Sequence, residues 1–287
     1  MNKDLTIVFN SYFSGKNLYR ILKDLKKYKI IIIENSLDKK LKKDLEKKYK
    51  NVKVVLPYKN LGLAKGYNLG IKYAKTKFVF LNNPDIEISN YSINRLLFYA
   101  KKIKKFSIIA PIYDNEKKFK NYYGERSIEN KNSFFFKNKI KSVSWIDNNF
   151  LIDKNKIKNN LFDEKYFLYF ENIDFCLNLK RKYDNLFIMK KIKFKHYGSM
   201  STDSKYKNVV LSTRAWHYNW SKFYYYRKNF TYIYALTKIL PNLIKAIKKI
   251  LINLIKFNQF NIYLAFLELY GIMSSILCLK SFYRPRL

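Results

Sequence analysis

The sequence predicts an α/β protein, with a mostly parallel sheet flanked by helices and a helical region at the C-terminal end. Three observations carry this. Short apolar runs alternate with segments of helical period four times in roughly the first 85 residues, which is the signature of a parallel sheet wound on both faces. Asn10, Glu34 and Asp85 stand at the carboxyl ends of three of those runs, where open α/β sheets bind their ligands. From about Tyr206 the character changes to an aromatic, basic segment and then to a long apolar stripe at helical spacing.

Leu5 to Phe9 reads as a first buried strand, followed by the turn Asn10-Ser11-Tyr12. Leu18, Ile21, Leu22 and Leu25 recur at helical spacing, and Ile30 to Ile33 is a second strand ending at Glu34-Asn35-Ser36. Leu41, Leu45 and Tyr49 mark a lysine-rich helix with a solvated face, and Val52 to Leu56 a third strand. Asn60 to Gly70 opens another helix, with Ile71 and Ala74 on its buried side, and Phe78 to Leu81 is the fourth strand. Past the turn Asn82-Asn83-Pro84-Asp85, Ile93, Leu96, Leu97 and Ala100 suggest a helix, and Ser107 to Ala110 a strand ending before Pro111. Residues 113–142 are polar, irregular and dotted with aromatics, a surface excursion over the sheet. Val143 to Asp147 returns to a strand, a helix runs through Asp174 to about Lys182, and Phe187 to His196 reads as one or two strands.

The domain division expected is 1–205, with one half to about 112 and another from 113, and then 206–287. In the latter, Trp216, Trp220 and Phe223 to Tyr226 crowd among Arg214, Lys222, Arg227 and Lys228. Ile239, Leu240, Leu243, Ile244, Ile247, Ile250, Leu251, Leu254 and Ile255 then form one stripe, with Lys238, Lys245, Lys248, Lys249 and Lys256 opposite. That basic amphipathic helix reads either as an anchor on an anionic membrane surface or as a helix packing its stripe on the catalytic domain. The 23 residues from Phe257 to Leu279 are mostly apolar, but Asn258, Gln259, Asn261 and Glu268 interrupt them. They make a poor membrane span.

The chain carries 58 Lys and Arg against 21 Asp and Glu, a net charge of +37. Such an excess invites a nucleic-acid reading. The lysines are spread throughout and no nucleic-acid-binding motif accompanies them, so no nucleic-acid partner is expected. Lys, Asn, Ile, Phe and Tyr are abundant while Gly, Pro and Ala are scarce, which is how an AT-rich genome writes any protein. Cys176 and Cys278, the two cysteines, lie far apart without metal-ligand spacing, which points to a reducing compartment. With only His196 and His217 as imidazoles, a His-rich metal site is excluded. No signal peptide is expected ahead of the first strand.

Several positions can carry chemistry, each with a plainer alternative. Asp85 can hold a divalent cation against a diphosphate, or Asn83-Pro84-Asp85 can be only a good turn. In Asn60-x-Gly62-(x)3-Gly66-x-Asn68-x-Gly70 the glycines can admit a phosphate to a helix N-terminus, or serve close helix–sheet packing. Glu34 can contact a ribose or base, or belong to a helix cap. Glu171 and Asp174, three apart at a helix start, can supply a general base or answer the helix dipole. His196 can join Asp85 in a mixed oxygen–nitrogen site for Mn²⁺ or Mg²⁺, or be structural.

Taken in order, Val8-Phe9-Asn10-Ser11-Tyr12, Ile33-Glu34-Asn35-Ser36, the Asn60–Gly70 pattern, Leu81-Asn82-Asn83-Pro84-Asp85, Phe162-Asp163-Glu164 with Phe167, Tyr169, Glu171, Asp174 and Cys176, and finally His196 with Gly198 and Ser199 resemble one family. The chain is similar to family 2 inverting glycosyltransferases of the GT-A fold, in the bacterial rhamnosyltransferase-like branch, over about residues 4–230. The resemblance implies a GT-A, Rossmann-like domain and transfer of rhamnose or another hexose from a dTDP- or UDP-linked donor. The acceptor it implies is a glycan hydroxyl, lipid-linked, in cell-surface polysaccharide synthesis, at the inner face of the cell membrane. It implies a nucleotide-sugar site of Asn10, Glu34, Asn60, Gly62, Gly66, Asn68, Asn83 and Asp85, a metal held by Asp85 and His196, and a base in the acidic motif. In that motif Asn172 replaces the usual Asp, leaving Glu171 or Asp174 as the base. Asn148 and Asn149 stand where Gly and a small residue are expected, so the acceptor pocket is expected to differ.

Overall fold

The structure is a computed structural model that describes residues 2–103, 105–116, 119–125, 140–147, 149–157, 161–183, 185–198 and 201–285. Asn148, Ser199 and much of the excursion expected over 113–142 lie outside the described residues. The chain divides into two compact units. The first is Met1–Leu61, Lys65–Phe162 and Asn172–Asp203, and the second is Gly62–Ala64, Asp163–Glu171 and Ser204–Leu287.

The first unit is built on alternating strands and helices. They are β1 (Leu5–Ser11), α1 (Gly15–Leu22), β2 (Lys29–Glu34), α2 (Lys39–Lys48), β3 (Val52–Val55), α3 (Gly62–Tyr73) and β4 (Phe78–Asn82). β5 (Ile86–Glu87), α4 (Asn90–Lys102) and β6 (Ile108–Tyr113) follow. Short pieces come next: β7 (Tyr122–Tyr123), β8 (Ile140–Ser142), β9 (Trp145–Ile146), β10 (Phe150–Asp153) and α5 (Lys154–Ile157). The last elements are α6 (Glu171–Tyr183), whose first residue falls in the second unit, and β11 (Leu186–His196).

The main sheet runs β3-β2-β1-β4-β10-β6-β11-β5, with β8 against β11. β1 is parallel to both β2 and β4, and β2 to β3. β10 is antiparallel to β4 and β6, while β11 is parallel to β6. Every residue of β1 and of β4 is buried, as strands covered on both faces must be. Leu18, Ile21 and Leu22 of α1 and Leu41 and Leu45 of α2 join that core, so the helical spacing read from the sequence does mark the buried faces. α2 and α4 start on side-chain caps: Asp38 accepts the Leu41 N–H at 2.8 Å, and Ser89 the Ser92 N–H at 3.1 Å.

Strand order positions the site. The chain winds outward through β1, β2 and β3, then returns to place β4 on the other side of β1. That reversal opens a crevice at the carboxyl ends of β1 and β4. Phe9 is in register with Asn82, and Ser11 with Glu34, so Asn10, Glu34 and the Asn83–Asp85 turn leave the sheet at one level.

Two expectations are revised. The strand expected to stop before Pro111 runs on to Tyr113. β10 pairs with β6 only at Ile108 and Ile109, so the residue that lacks an N–H lies beyond that ladder. Val143 to Asp147 is not one strand. Only Trp145 and Ile146 pair, with Tyr123 and Tyr122, in a separate small sheet.

The second unit contains α7 (Lys207–Asn229), α8 (Tyr232–Ile255) and α9 (Gln259–Ile276). Trp216, Trp220 and Phe223 of α7 are buried, and Phe223 clusters with Ala235, Ile239 and Ile272. Gly271 permits a close crossing, since a Cβ there would lie 2.3 Å from the Trp216 carbonyl oxygen. α8 buries Ala235, Ile239 and Ala246, whereas most of its stripe is exposed, including Leu240, Ile244, Ile247, Leu251, Leu254 and Ile255. Among the described residues, no helix is long and apolar enough to cross a membrane.

Candidate active site

The turn after β4 is braced from several sides. The Asn82 amide donates to the carbonyls of Asn83 and Ile86, at 3.1 and 3.0 Å, and so closes the Asn-Asn-Pro-Asp loop on itself. Asn149 accepts the Asn83 N–H at 2.9 Å and donates to the Tyr113 hydroxyl at 2.7 Å. The Tyr67 hydroxyl of α3 donates to the Asn83 side chain at 2.7 Å. These bonds fix the direction in which Asp85, next but one along, presents its carboxylate.

Asp85 is 5% exposed, and its Oδ2 lies 3.4 Å from His196 Nε2. The two residues that the sequence reading paired are therefore neighbours, at the carboxyl ends of β4 and β11. The Asp85 carbonyl also accepts the Tyr197 N–H at 3.1 Å, which ties the two strand ends together. The His196 ring is stacked on Tyr113 at 4.7 Å and meets Phe119 edge-on at 4.6 Å. Asp85 Oδ1 and His196 Nδ1 are both buried with no hydrogen-bond partner among the described residues. Orphaned polar atoms of this kind are costly unless a ligand answers them. One carboxylate and one imidazole suit a divalent ion such as Mn²⁺, so the residues present fit a metal whose remaining ligands a bound diphosphate would supply. No group of three His, Cys, Asp or Glu is gathered among the described residues, so a cage made of protein side chains alone is not formed there.

The neighbouring strand ends are joined by amides. Asn10 accepts from the Asn35 amide at 2.5 Å, and Asn35 in turn accepts the Leu61 N–H at 2.9 Å. Asn60, half-buried, immediately precedes that tether. Gly66 sits against Asn10, where a Cβ would lie 2.1 Å from the Asn10 amide nitrogen. Glu34 is fully buried; it accepts from the hydroxyls of Ser11 and Ser36 and from the Ser36 N–H at 2.9 Å. It therefore organises the ends of β1 and β2, a role that the two serines could have signalled in the sequence. Both ends of the Asn68 amide meet the Phe162 backbone, at 2.9 and 3.0 Å. In the second unit, Gly62 has a φ of +73, and a Cβ there would lie 2.2 Å from the Phe167 carbonyl oxygen. The same carbonyl accepts the Leu63 N–H at 2.8 Å.

The acidic motif opens α6. Glu171 and Asp174 are 1% and 0% exposed, and Asp174 Oδ2 accepts from Asn178 one turn on, at 3.2 Å. Asn172 donates to Asp147 Oδ1 at 2.7 Å, a contact that the sequence reading missed. Asp147 follows β9, and its N–H is bonded to the Asn121 carbonyl at 2.8 Å. Asn149, where the resemblance implied a small residue, adopts a φ of 84. That backbone is left-handed, and asparagine is among the few side chains that tolerate it. Burial first, and the Asp147 and Asp85 charges next, push the Tyr113 phenol well above its ordinary range, so it is neutral at any physiological pH.

Fold and site together define an α/β protein with a polar crevice at the switch point of its sheet. The chain belongs to glycosyl transferase family 2, whose sequence model matches residues 5–166. No curated protein matches the sequence. Among solved structures, S. aureus TarS 1-349 in complex with UDP aligns at 15% identity with a TM-score of 0.54, covering 99% of this chain and 94% of that one. The mannosyltransferase PcManGT from Pyrobaculum calidifontis, in complex with GDP-Man and Mn²⁺, aligns at 7% identity with a TM-score of 0.59, covering 96% and 88%. The chain spans 39% of the longer S. aureus TarS chain, at 16% identity and a TM-score of 0.51. At these identities the likeness is one of fold, and it is the GT-A fold.

Proposed function

We propose that the protein moves a sugar, rhamnose or another hexose, from a dTDP- or UDP-linked donor to a hydroxyl of a lipid-linked glycan in cell-surface polysaccharide synthesis. The observation that carries the reading is the Asp85–His196 pair, with its two orphaned buried atoms at the carboxyl ends of β4 and β11. Asp85 Oδ1 and His196 Nδ1 would hold Mn²⁺ or Mg²⁺, and a divalent ion there supplies positive charge against the leaving diphosphate. Asn10, Asn60 and Asn83 line the strand ends that receive the nucleotide, and Glu34 sets their frame through Ser11 and Ser36. A carboxylate takes the proton of the acceptor hydroxyl, whose oxygen attacks the anomeric carbon. The bond from that carbon to the diphosphate oxygen breaks on the opposite face, and the configuration inverts. The structural relatives solved with UDP and with GDP-Man and Mn²⁺ support this assignment of donor and ion.

The C-terminal helices add a location. The exposed Leu240, Ile244, Ile247 and Leu251 of α8, beside Lys245 and Lys248, suit the interface of an anionic membrane, on the cytoplasmic face. A panel of UDP-, dTDP- and GDP-sugars, scored by melting temperature with and without Mn²⁺, tests the donor reading. Stabilisation by at least one donor, larger with the ion, is expected; a flat panel overturns the reading.

A further inference from the structure

We infer that Asp147 is the general base that deprotonates the acceptor hydroxyl, with Asn172 as the residue that aims it. The assignment rests on the transferase reading above and deepens it.

Accessibility separates the available carboxylates. A general base must reach the hydroxyl it deprotonates to within hydrogen-bond distance. Glu171 and Asp174 are 1% and 0% exposed, whereas Asp147 is half-buried. Asp174 also turns one oxygen to Asn178 of its own helix.

Position agrees with accessibility. Asp147 lies two residues before Asn149 in the chain, and the Asn149 side chain grips the turn that carries Asp85. Tyr113 is stacked on His196, and its hydroxyl is bonded to Asn149, the residue that holds the Asn83 N–H. Asp147 therefore belongs to the segment that braces the Asp85 turn beside Tyr113 and His196.

Asp147 is also held in direction. Its backbone N–H is anchored on the Asn121 carbonyl, and the Asn121 amide is anchored on the Pro111 carbonyl at 2.9 Å. Asn172 grips Oδ1 at 2.7 Å, which aims the carboxylate. A carboxylate at 172 would face the Asp147 carboxylate across that same contact, and two like charges there would repel. Asparagine at 172 and aspartate at 147 are thus one complementary pair, with the carboxylate on the β9 side and the amide on the helix.

The step balances simply. The proton passes from the acceptor hydroxyl to Asp147, the acceptor oxygen bonds to the anomeric carbon, and the diphosphate leaves with the electron pair. Asp147 then loses its proton to water.

Three variants test this, using release of nucleoside diphosphate from UDP-GlcNAc, UDP-galactose and dTDP-rhamnose, with water standing in for the acceptor. Asp147→Asn keeps an oxygen facing Asn172, so a merely structural role would survive it. We expect turnover to fall by about 100-fold or more, with donor affinity and melting temperature unchanged. The exchanged pair, Asp147→Asn with Asn172→Asp, restores a carboxylate and an amide in contact, but the carboxylate then stands at position 172, which is 6% exposed, so turnover is expected to stay low. Asn172→Ala is expected to lower turnover less, without weakening donor binding. Full turnover in Asp147→Asn, or a loss of donor binding with it, overturns the assignment, as does an exchanged pair that recovers wild-type turnover. A wild-type protein that binds none of the donors overturns the transferase reading instead.

Discussion

Asn149 accepts the Asn83 N–H at 2.9 Å from a left-handed backbone with a φ of 84. One residue thus meets a conformational demand and a positioning demand. Asn149→Gly keeps the backbone but removes both of its side-chain bonds, to Asn83 and to Tyr113. It should cost about 1–3 kcal/mol of stability from the partners left unpaired and lower turnover several-fold. Asn149→Val imposes a β-branched side chain on that φ and should destabilise the fold by about 1–3 kcal/mol, measured by urea unfolding.

Two glycines of α3 should respond differently to alanine. At Gly70 the new Cβ would lie 2.3 Å from Val8 Cγ1 in the middle of β1, so Gly70→Ala should cost about 1–3 kcal/mol of stability. At Gly66 it would lie 2.1 Å from the Asn10 amide, at the strand end. Gly66→Ala should displace Asn10 from Asn35 and weaken donor binding more than it lowers the unfolding midpoint. Isothermal titration with UDP-sugars beside urea denaturation separates the two effects.

His217 makes the second unit sensitive to acid. Burial pushes its imidazole down to about 3, with the nearby Arg284 guanidinium adding to the shift and the bond to the Tyr283 carbonyl opposing it. An unfolded histidine titrates near ~6.5. Between those values the unfolded chain binds the proton and the folded one does not, so stability rises with pH across the window. Each unit of acidification below ~6.5 should cost up to about 1.4 kcal/mol from this group. His217→Phe, which suits the surrounding Phe167 and Trp216 rings, should flatten the difference in urea midpoint between pH 7 and pH 5.

The exposed stripe of α8 predicts lipid binding. The protein should sediment with vesicles of phosphatidylglycerol and not with phosphatidylcholine alone, and salt should weaken the association. Ile247→Glu together with Leu251→Glu should abolish it while leaving donor binding intact. Equal binding to neutral vesicles would contradict the proposed location.

Much of this architecture was legible because its signals are local. β1, β2 and β4 are apolar runs closed by a polar residue, and the buried faces of α1 and α2 follow helical spacing. The pairing of Asp85 with His196 was legible too, through residue types that share one chemistry. What escaped depends on contacts distant in sequence. Asp147 means little until Asn172, 25 residues later, is seen to hold it. Ser11, which bonds the Glu34 carboxylate, lies 23 residues earlier, at the end of β1. The continuous helix α7 was hidden for another reason: aromatic residues populate all its sides, so no clean period marks it.

The central claim is that Asp85 anchors a metal-assisted sugar-diphosphate site. The most direct measurement is nucleoside diphosphate release from UDP- and dTDP-sugars with Mn²⁺, comparing wild type with Asp85→Asn. The account predicts a loss of about 100-fold or more, since the charge stabilisation at stake is worth several kcal/mol, with an unchanged melting temperature in the absence of ligand. Equal release by the two proteins would contradict it.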